Sequence, residues 1–359
     1  MRKGTLFGLV LFLLVSYGWG GAGSAAAEVA DEIVASVNGG GISIRDLREG
    51  LGVWGGGVSA SWIPVEKKKE ALDRLIDARL LEQSARARGL DNTGDFREFM
   101  MQNEPRMAVN ALLRREAASK VAVPKEEVKE EAGNLRKKDK NLSAAEARAR
   151  ASVMILEKSL RKVEEELVAA ARKDASATID EEAIRRIGKD GLVEDNTILG
   201  TAGGKAVRYG EVKLLMGKMT GGKHGGGDLS TNPVVVRDLV DRELTRTSLL
   251  AYARKQGTGD SEWMNTVRRE AERAALVNRL TENVIMKKIT VTDKEIKDAY
   301  ERHSGMMVRG GKPIPLSEVK EQIRGIVLAD KRKDAVAKHV GPLRKKAKIR
   351  IYEKLLPKV

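Results

Sequence analysis

Residues 73–89 read DRLIDARLLEQSARARG, and residues 241–257 read DRELTRTSLLAYARKQG. Carried forward without a gap to residues 129 and 297, the alignment keeps 14 of 57 pairs identical. Among them are Asp73/Asp241, Arg74/Arg242, Leu81/Leu249, Arg86/Arg254, Gly89/Gly257, Val109/Val277, Asn110/Asn278, Leu112/Leu280 and Val123/Val291. A fixed offset held over three successive helical segments is the mark of a tandem duplication, not of shared composition. Any function must therefore suit two similar helical modules.

Working outward from that stretch, each half repeats one series of elements. It opens on a hairpin-like segment, Val34–Val37, Asn38-Gly39-Gly40-Gly41 and Ile42–Ile44, matched by Ile198-Leu199, Gly203-Gly204 and Ala206-Val207. A short helix (45–51; 210–216) and a glycine-rich loop (55–57; 221–227) follow. The next helix puts Leu72, Leu75, Ile76 and Leu80 on one face. Its copy starts at N-cap Asn232 with Pro233 at N1 and aligns Val236, Val240 and Leu244. Further helices are predicted over 98–120 and 262–288. Pro124, and a Thr292/Glu295 capping box, then start another pair. Each half closes with a charged helix, 143–173 opened by a Ser143/Glu146 box and 316–337, and an alternating strand, 177–179 and 347–352. Each closing strand is expected to pair with the hairpin of its own half and tie that unit's ends together. The fold class is mainly α, with a small β-hairpin and strand in each of two tandem units, 28–187 and 201–359, joined by a linker over 188–200.

The amino terminus has the three regions of a secretory signal peptide: Arg2 and Lys3, an apolar run Leu6–Val15, and small residues 21–27 with Ala25-Ala26-Ala27 before Glu28. The run is shorter than the roughly 20 residues of a spanning helix, so cleavage at residue 27, a periplasmic location and no membrane span in the mature chain are expected. The sequence contains no cysteine, which excludes disulfides, thiolate metal sites and thiol catalysis. Net charge is +15, and basic residues cluster at 67–69, 136–138, 331–333 and 344–346. On long helices such runs usually face solvent, and they also draw acidic partners. Nucleic acid is not an expected partner, because the chain is exported and has few aromatics to stack on bases.

Val34-Ala35-Ser36-Val37-Asn38-Gly39 with Ile42 and Asp46-Leu47, then Leu72–Ile76, Leu80-Leu81, Ala85 and Gly89, resemble the N-terminal domain of SurA-type periplasmic chaperones and related foldases. Val291–Ile296 with Tyr300 is similar to the segment that precedes that family's parvulin isomerase domain, and 316–351 to the helix and strand that return after it. The resemblance implies a chaperone fold. It also implies that the isomerase domain would occupy the interval after Tyr300, which here is only 301–315; in the first half the gap is 131–141. Folded domains rarely have fewer than about 50 residues, so no catalytic module is expected in either copy.

No catalytic residue, cofactor or metal is therefore assigned. Parvulin-like sites use paired histidines, whereas His224, His303 and His339 lie scattered outside any isomerase motif. Gly217–Lys223 matches the Gly-x4-Gly-Lys part of a phosphate-binding loop, but His224 replaces its Ser/Thr and further glycines replace the helix. The carboxylates Glu126-Glu127 and Glu164–Glu166 are read as solvated. Binding surfaces are the stronger candidates: Phe96, Phe99 and Met100, with Trp263 and Met264 in the second copy, either line a client groove or form the seam between helices. Met306 and Met307, in the loop replacing the isomerase domain, offer flexible thioethers to varied apolar partners. The expected partners are unfolded or extended polypeptides, outer-membrane proteins among them. Two other readings stand beside the chaperone: a divergent peptidyl-prolyl isomerase, and a basic structural protein of the cell envelope.

Overall fold

The structure, a computed structural model, describes residues 32–52, 60–187, 193–219, 229–287, 289–310 and 312–359. Residues 1–27, read as a signal peptide, and the glycine-rich loops at 55–57 and 221–227 lie outside the described residues. The fold is mainly α: 74% of the described residues are helical and 9% are in strands.

The first half opens with strands β1 (Ile33–Val37) and β2 (Gly40–Ser43). They are joined by Asn38 and Gly39 at φ 52° and 88°, the left-handed pair a two-residue hairpin turn needs. Helix α1 (Ile44–Gly50) starts on a capping box in which Ser43 and Asp46 satisfy each other's backbone N–H. Next come α2 (Val65–Arg86), α3 (Gly94–Lys120) capped by Thr93, α4 (Lys125–Lys138) and α5 (Ala144–Asp174), which starts on the expected Ser143/Glu146 box. Strand β3 (Thr178–Ile179) ends this half, followed by α6 (Glu181–Ile187). Helix α6 was not expected from the sequence. Its signal is Asp180, whose Oδ1 accepts the N–H groups of Glu182 and Ala183 in the manner of an N-cap.

The second half repeats the order with β4 (Ile198–Ala202), β5 (Lys205–Arg208), α7 (Tyr209–Met219) and α8 (Pro233–Lys255). Asn232 caps α8 through the N–H groups of Val234 and Val235, with Pro233 at N1. Helix α9 (Glu262–Leu280) is shorter than expected, because a π-helical turn takes over at Thr281–Ile285. Helix α10 (Asp293–His303) begins on the expected Thr292/Glu295 box. A ribbon of β6 (Val308–Arg309) and β7 (Lys312–Pro313) leads into α11 (Leu316–Lys346), then β8 (Ile349–Ile351) and a 3-10 turn, Glu353–Lys358. The duplication extends to detail. Strands β1 and β4 share one burial pattern and shift register at the same place, Ile33/Ala35 and Ile198/Gly200. Gly89 and Gly257 are both left-handed and open matching 3-10 turns.

The expected pairing within each half does not occur. The sheets have the orders β2-β1-β8 and β3-β4-β5. Thus the closing strand of the second half pairs with the first hairpin, Ser36 opposite Arg350, and the closing strand of the first half pairs with the second hairpin, Ile179 opposite Gly200. The closing helices cross over with their strands. Arg344 of α11 donates to Asp73 Oδ1 and Asp77 Oδ1 of α2, at 3.1 and 2.5 Å. Arg172 of α5 donates to Asp241 Oδ1 of α8 at 2.6 Å. Asp73 and Asp241, identical in the sequence repeat, therefore bind equivalent arginines supplied by the opposite halves. At the chain's end Lys68, 2% exposed, donates to the carbonyl oxygens of Leu356 and Val359, and Lys358 meets Glu32.

The physical reason is local equivalence. Two hairpins of one pattern offer a closing strand the same register, so the packing of the long helix before it selects the partner. The largest apolar core accordingly mixes both halves, joining Val34, Ile42, Leu47, Leu72 and Ile76 to Leu249, Leu276, Leu280, Val340 and Leu356. A second core joins Ala183, Ile184 and Ile187 to Leu199, Val212, Val236 and Leu244. Residues 198–200, placed in a linker by the sequence, are part of β4. Gly200 there is so close to the crossover that a Cβ would meet Thr178 O at 2.7 Å and Leu244 Cδ1 at 2.8 Å.

Candidate functional site

Two helical hairpins extend the duplication. Helices α4 and α5 close on a small cluster of Ala132, Leu142, Ala147 and Ala151, with Val128 and Leu135 packed on it. Helices α10 and α11 close on Ile296, Ala299, Val319, Ile323 and Val327, with Tyr300, Met307 and Ile314 packed on it. Tyr300 Oη donates to Ile314 O at 2.6 Å and fixes the tip of this second arm. Among the described residues, the interval between the two helices of the second arm holds a 3-10 turn, Ser304–Met306, and the β6–β7 ribbon.

The seven residues proposed for client contact do not form one surface. Helices α3 and α9 run antiparallel, bridged by Glu104–Arg268, Arg114–Glu270 and Arg279 to the Asp95 carbonyl. Phe96 lies in the main core, 6% exposed, with the Arg279 guanidinium 5.7 Å from its ring centroid. Met264 is 1% exposed and packs with Met107, Ala111 and Val267 where the two helices cross. Phe99, Met100 and Trp263 are half-buried beside them. Of the two roles left open for this set, the geometry gives Phe96 and Met264 that of the helix seam. Met307 packs against the core of its arm and is not a free loop residue. Met306 ends the 3-10 turn, and its side chain is outside the described residues. The large exposed apolar side chains lie elsewhere and are spread over the molecule: Val234 on α8, Leu214 on α7 and Met101 on α3 are the most exposed, and Val153 and Met154 on α5, Val308 at the second arm's tip and Leu328 on α11 are among the others.

Polar chemistry concentrates where the halves meet. Arg114 Nη1 donates to Glu270 Oε2 at 2.7 Å, with side chains only 5% and 9% exposed. Glu49 of α1 is 4% exposed and its Oε1 has no hydrogen-bond partner. Burial pushes the Glu49 carboxyl well above the usual range, Glu270 adds to this, and Arg114 opposes it. Burial likewise pushes Glu270 up to about 7, against the attraction of Arg114 and Arg273. Around them Arg79 faces Asp46 and Glu82, and Arg273 donates to Glu82 at 3.0 Å. The sequence carries a sign of this network. Met107, Ala111 and Arg114 have the spacing of one helix face, which places a cation on an apolar stripe.

The remaining candidates resolve simply. His303 ends α10, and His339 Nε2 lies 3.3 Å from Ser84 Oγ, its pKa lowered by burial and then by Arg88. His224 lies outside the described residues. So does most of the phosphate-loop lookalike, whose first residues, Gly217–Met219, are the last turn of α7. Glu164, read as solvated, is half-buried: Oε1 has no partner, and burial followed by Glu165 repulsion outweighs Arg161 and raises its pKa to about 7. Among the described residues no cluster of His, Asp or Glu has the makings of a metal site, and no helix is long and apolar enough to cross a membrane. No protein-family model, curated protein or solved structure matches this chain.

Proposed function

We propose that the chain is an exported, periplasmic chaperone that holds unfolded or extended polypeptides, outer-membrane proteins among them, and releases them without covalent chemistry. The observation that carries this reading is the pair of helical arms. Each is a two-helix hairpin closed on its own small core, built onto a centre in which the halves exchange their closing helices and strands. Between the helices of either arm there is only a turn or a two-stranded ribbon. The arms leave apolar side chains in solvent, Val153 44%, Met154 46% and Val308 51% exposed. Contacts of this kind are non-directional and individually weak, which suits varied clients. Lys and Arg around them speed the capture of acidic segments, an effect that salt screens.

The test is suppression of aggregation of an unfolded outer-membrane protein, run beside a proline-tetrapeptide isomerase assay. The wild type is expected to suppress aggregation, more weakly at high salt, and to leave the isomerisation rate unchanged. Val153→Glu with Met154→Glu, both on an exposed face, is expected to lower suppression severalfold without changing the melting temperature. Absence of suppression refutes the reading, and accelerated isomerisation replaces it with an enzymatic one.

A further inference from the structure

The sequence has four basic runs, and in three of them the structure pairs one or more of the side chains. Lys67 binds Glu70, Lys68 the carbonyls of Leu356 and Val359, and Lys69 binds Glu353. Lys331 meets Glu295 and Thr290 O, and Arg332 meets Glu282. Arg344 holds Asp73 and Asp77 across the exchange. The fourth run, Arg136, Lys137 and Lys138, is exposed at the end of α4. Lys140 joins it in the turn to α5, and none of the four side chains has a hydrogen-bond or ion-pair partner among the described residues.

Two acids belong to this turn, Asp139 within it and Glu146 at the start of α5, and against four cations they leave it net positive. Asp139 Oδ1 accepts the Asn141 N–H at 3.0 Å. Glu146 Oε2 accepts from Ser143 N and Oγ at 3.1 and 2.7 Å, and these bonds hold its carboxyl below the usual range. A helix C-terminus attracts cations, which would account for basic residues in the last turn of α4. It does not account for Lys140, which lies beyond the helix and next to the positive end of α5. The second arm supplies the comparison: at its tip Arg309 is paired with Glu318 at 2.9 Å, beside the exposed Val308. The copies have diverged here, one tip to a paired ribbon and the other to a concentrated positive charge.

The shape of the first tip selects its partner. Leu142 is buried, Leu135 packs onto the arm's own cluster, and no large apolar side chain is exposed between residues 135 and 148. A tight turn without groove or apolar anchor offers a peptide nothing but charge. A flat surface of closely spaced phosphates can meet all four cations at once, within the roughly 10 Å over which exposed charges interact at about 0.1 M salt. We propose that the turn joining α4 and α5 is a docking point for an anionic phospholipid bilayer. This goes beyond the chaperone reading and does not depend on it.

The experiment is co-sedimentation of the protein beginning at Glu28 with vesicles of phosphatidylglycerol and phosphatidylcholine, against pure phosphatidylcholine, at low salt. Binding to the anionic vesicles alone is expected. The combination Arg136→Gln, Lys137→Gln, Lys138→Gln and Lys140→Gln should lower the partition coefficient by roughly fivefold per charge, on the order of several hundredfold together. The control removes the same charge from exposed positions of α11: Lys333→Gln, Lys338→Gln, Lys345→Gln and Lys346→Gln, with a drop of no more than about tenfold expected. The single change Lys140→Glu, outside any helix, gives a second reading should the fourfold variant fold poorly. Equal losses in the two fourfold variants, or an unchanged tip variant, overturn the proposal. It is also overturned if soluble polyglutamate loses its affinity for the tip variant while the vesicles do not. Aggregation suppression is measured without lipid, so its failure is a separate result.

Discussion

Replacing Arg114 by Met tests whether the charge network at the junction is worth what its burial implies. The substitution keeps the aliphatic volume and leaves the Glu270 carboxylate, 9% exposed, without its partner at 2.7 Å. Breaking a buried pair from one side costs about 3–5 kcal/mol when the orphan stays charged. Glu270, however, can take a proton. Moving a carboxyl from its ordinary 4.5 to about 7 corresponds to about 3 kcal/mol of preference for the neutral form in the folded state. A carboxyl raised in this way stabilises the fold most below its unfolded pKa, and that contribution is lost as the pH rises through about 7. Loss of Arg114 removes an opposing influence and carries the folded pKa higher still. Because the orphaned carboxyl can protonate, the variant's deficit relative to the wild type should be about 1–1.5 kcal/mol larger near pH 8 than near pH 5, one pH unit above about 7 being about 1.4 kcal/mol. Urea denaturation followed by circular dichroism at the two pH values measures this. Replacing both residues, Arg114→Met with Glu270→Met, should recover most of the loss at the higher pH, since an apolar pair leaves no buried charge. An equal deficit at both pH values, or none at the higher one, would refute the reasoning.

Two further outcomes follow from the exchange of strands and helices. Produced as separate chains in one cell, residues 32–187 and 193–359 should co-purify through a tag on either, and each alone should lack a cooperative melting transition; two independently folded monomers would contradict the crossover. Gly200→Ala should destabilise the protein by roughly 1–3 kcal/mol, the range for overpacking a filled core, because its Cβ would strike the Thr178 carbonyl and Leu244. Thermal melting checks this, and an unchanged midpoint would mean that β3 does not lie against β4 as described.

Much of the architecture was legible because its signals are local. The capping boxes at Ser143/Glu146 and Thr292/Glu295, the Asn232-Pro233 start of α8 and the two hairpin turns each depend on a few adjacent residues. Helix α6 and the β6–β7 ribbon were missed because both are short and carry weak periodicity. The residues proposed for client contact were less legible. Phe96 and Met264 have the composition of a binding surface, and only the antiparallel crossing of α3 and α9 shows that each is covered. Glu164 looks solvated in a charged run, yet the helix turns its carboxyl into a half-buried position.

By itself the sequence determined the unit: the duplication, the order of elements within each copy, the mainly helical class and the brevity of the segments between the helices of each arm. It could not determine which hairpin receives which closing strand. The duplication itself gives both hairpins the same pattern, and backbone hydrogen bonds do not distinguish between partners of one register. That choice belongs to long-range packing, in which α5 lies along α8 and α11 along α2, and to the ion pairs of Arg172 and Arg344 with two aspartates that the repeat had left interchangeable.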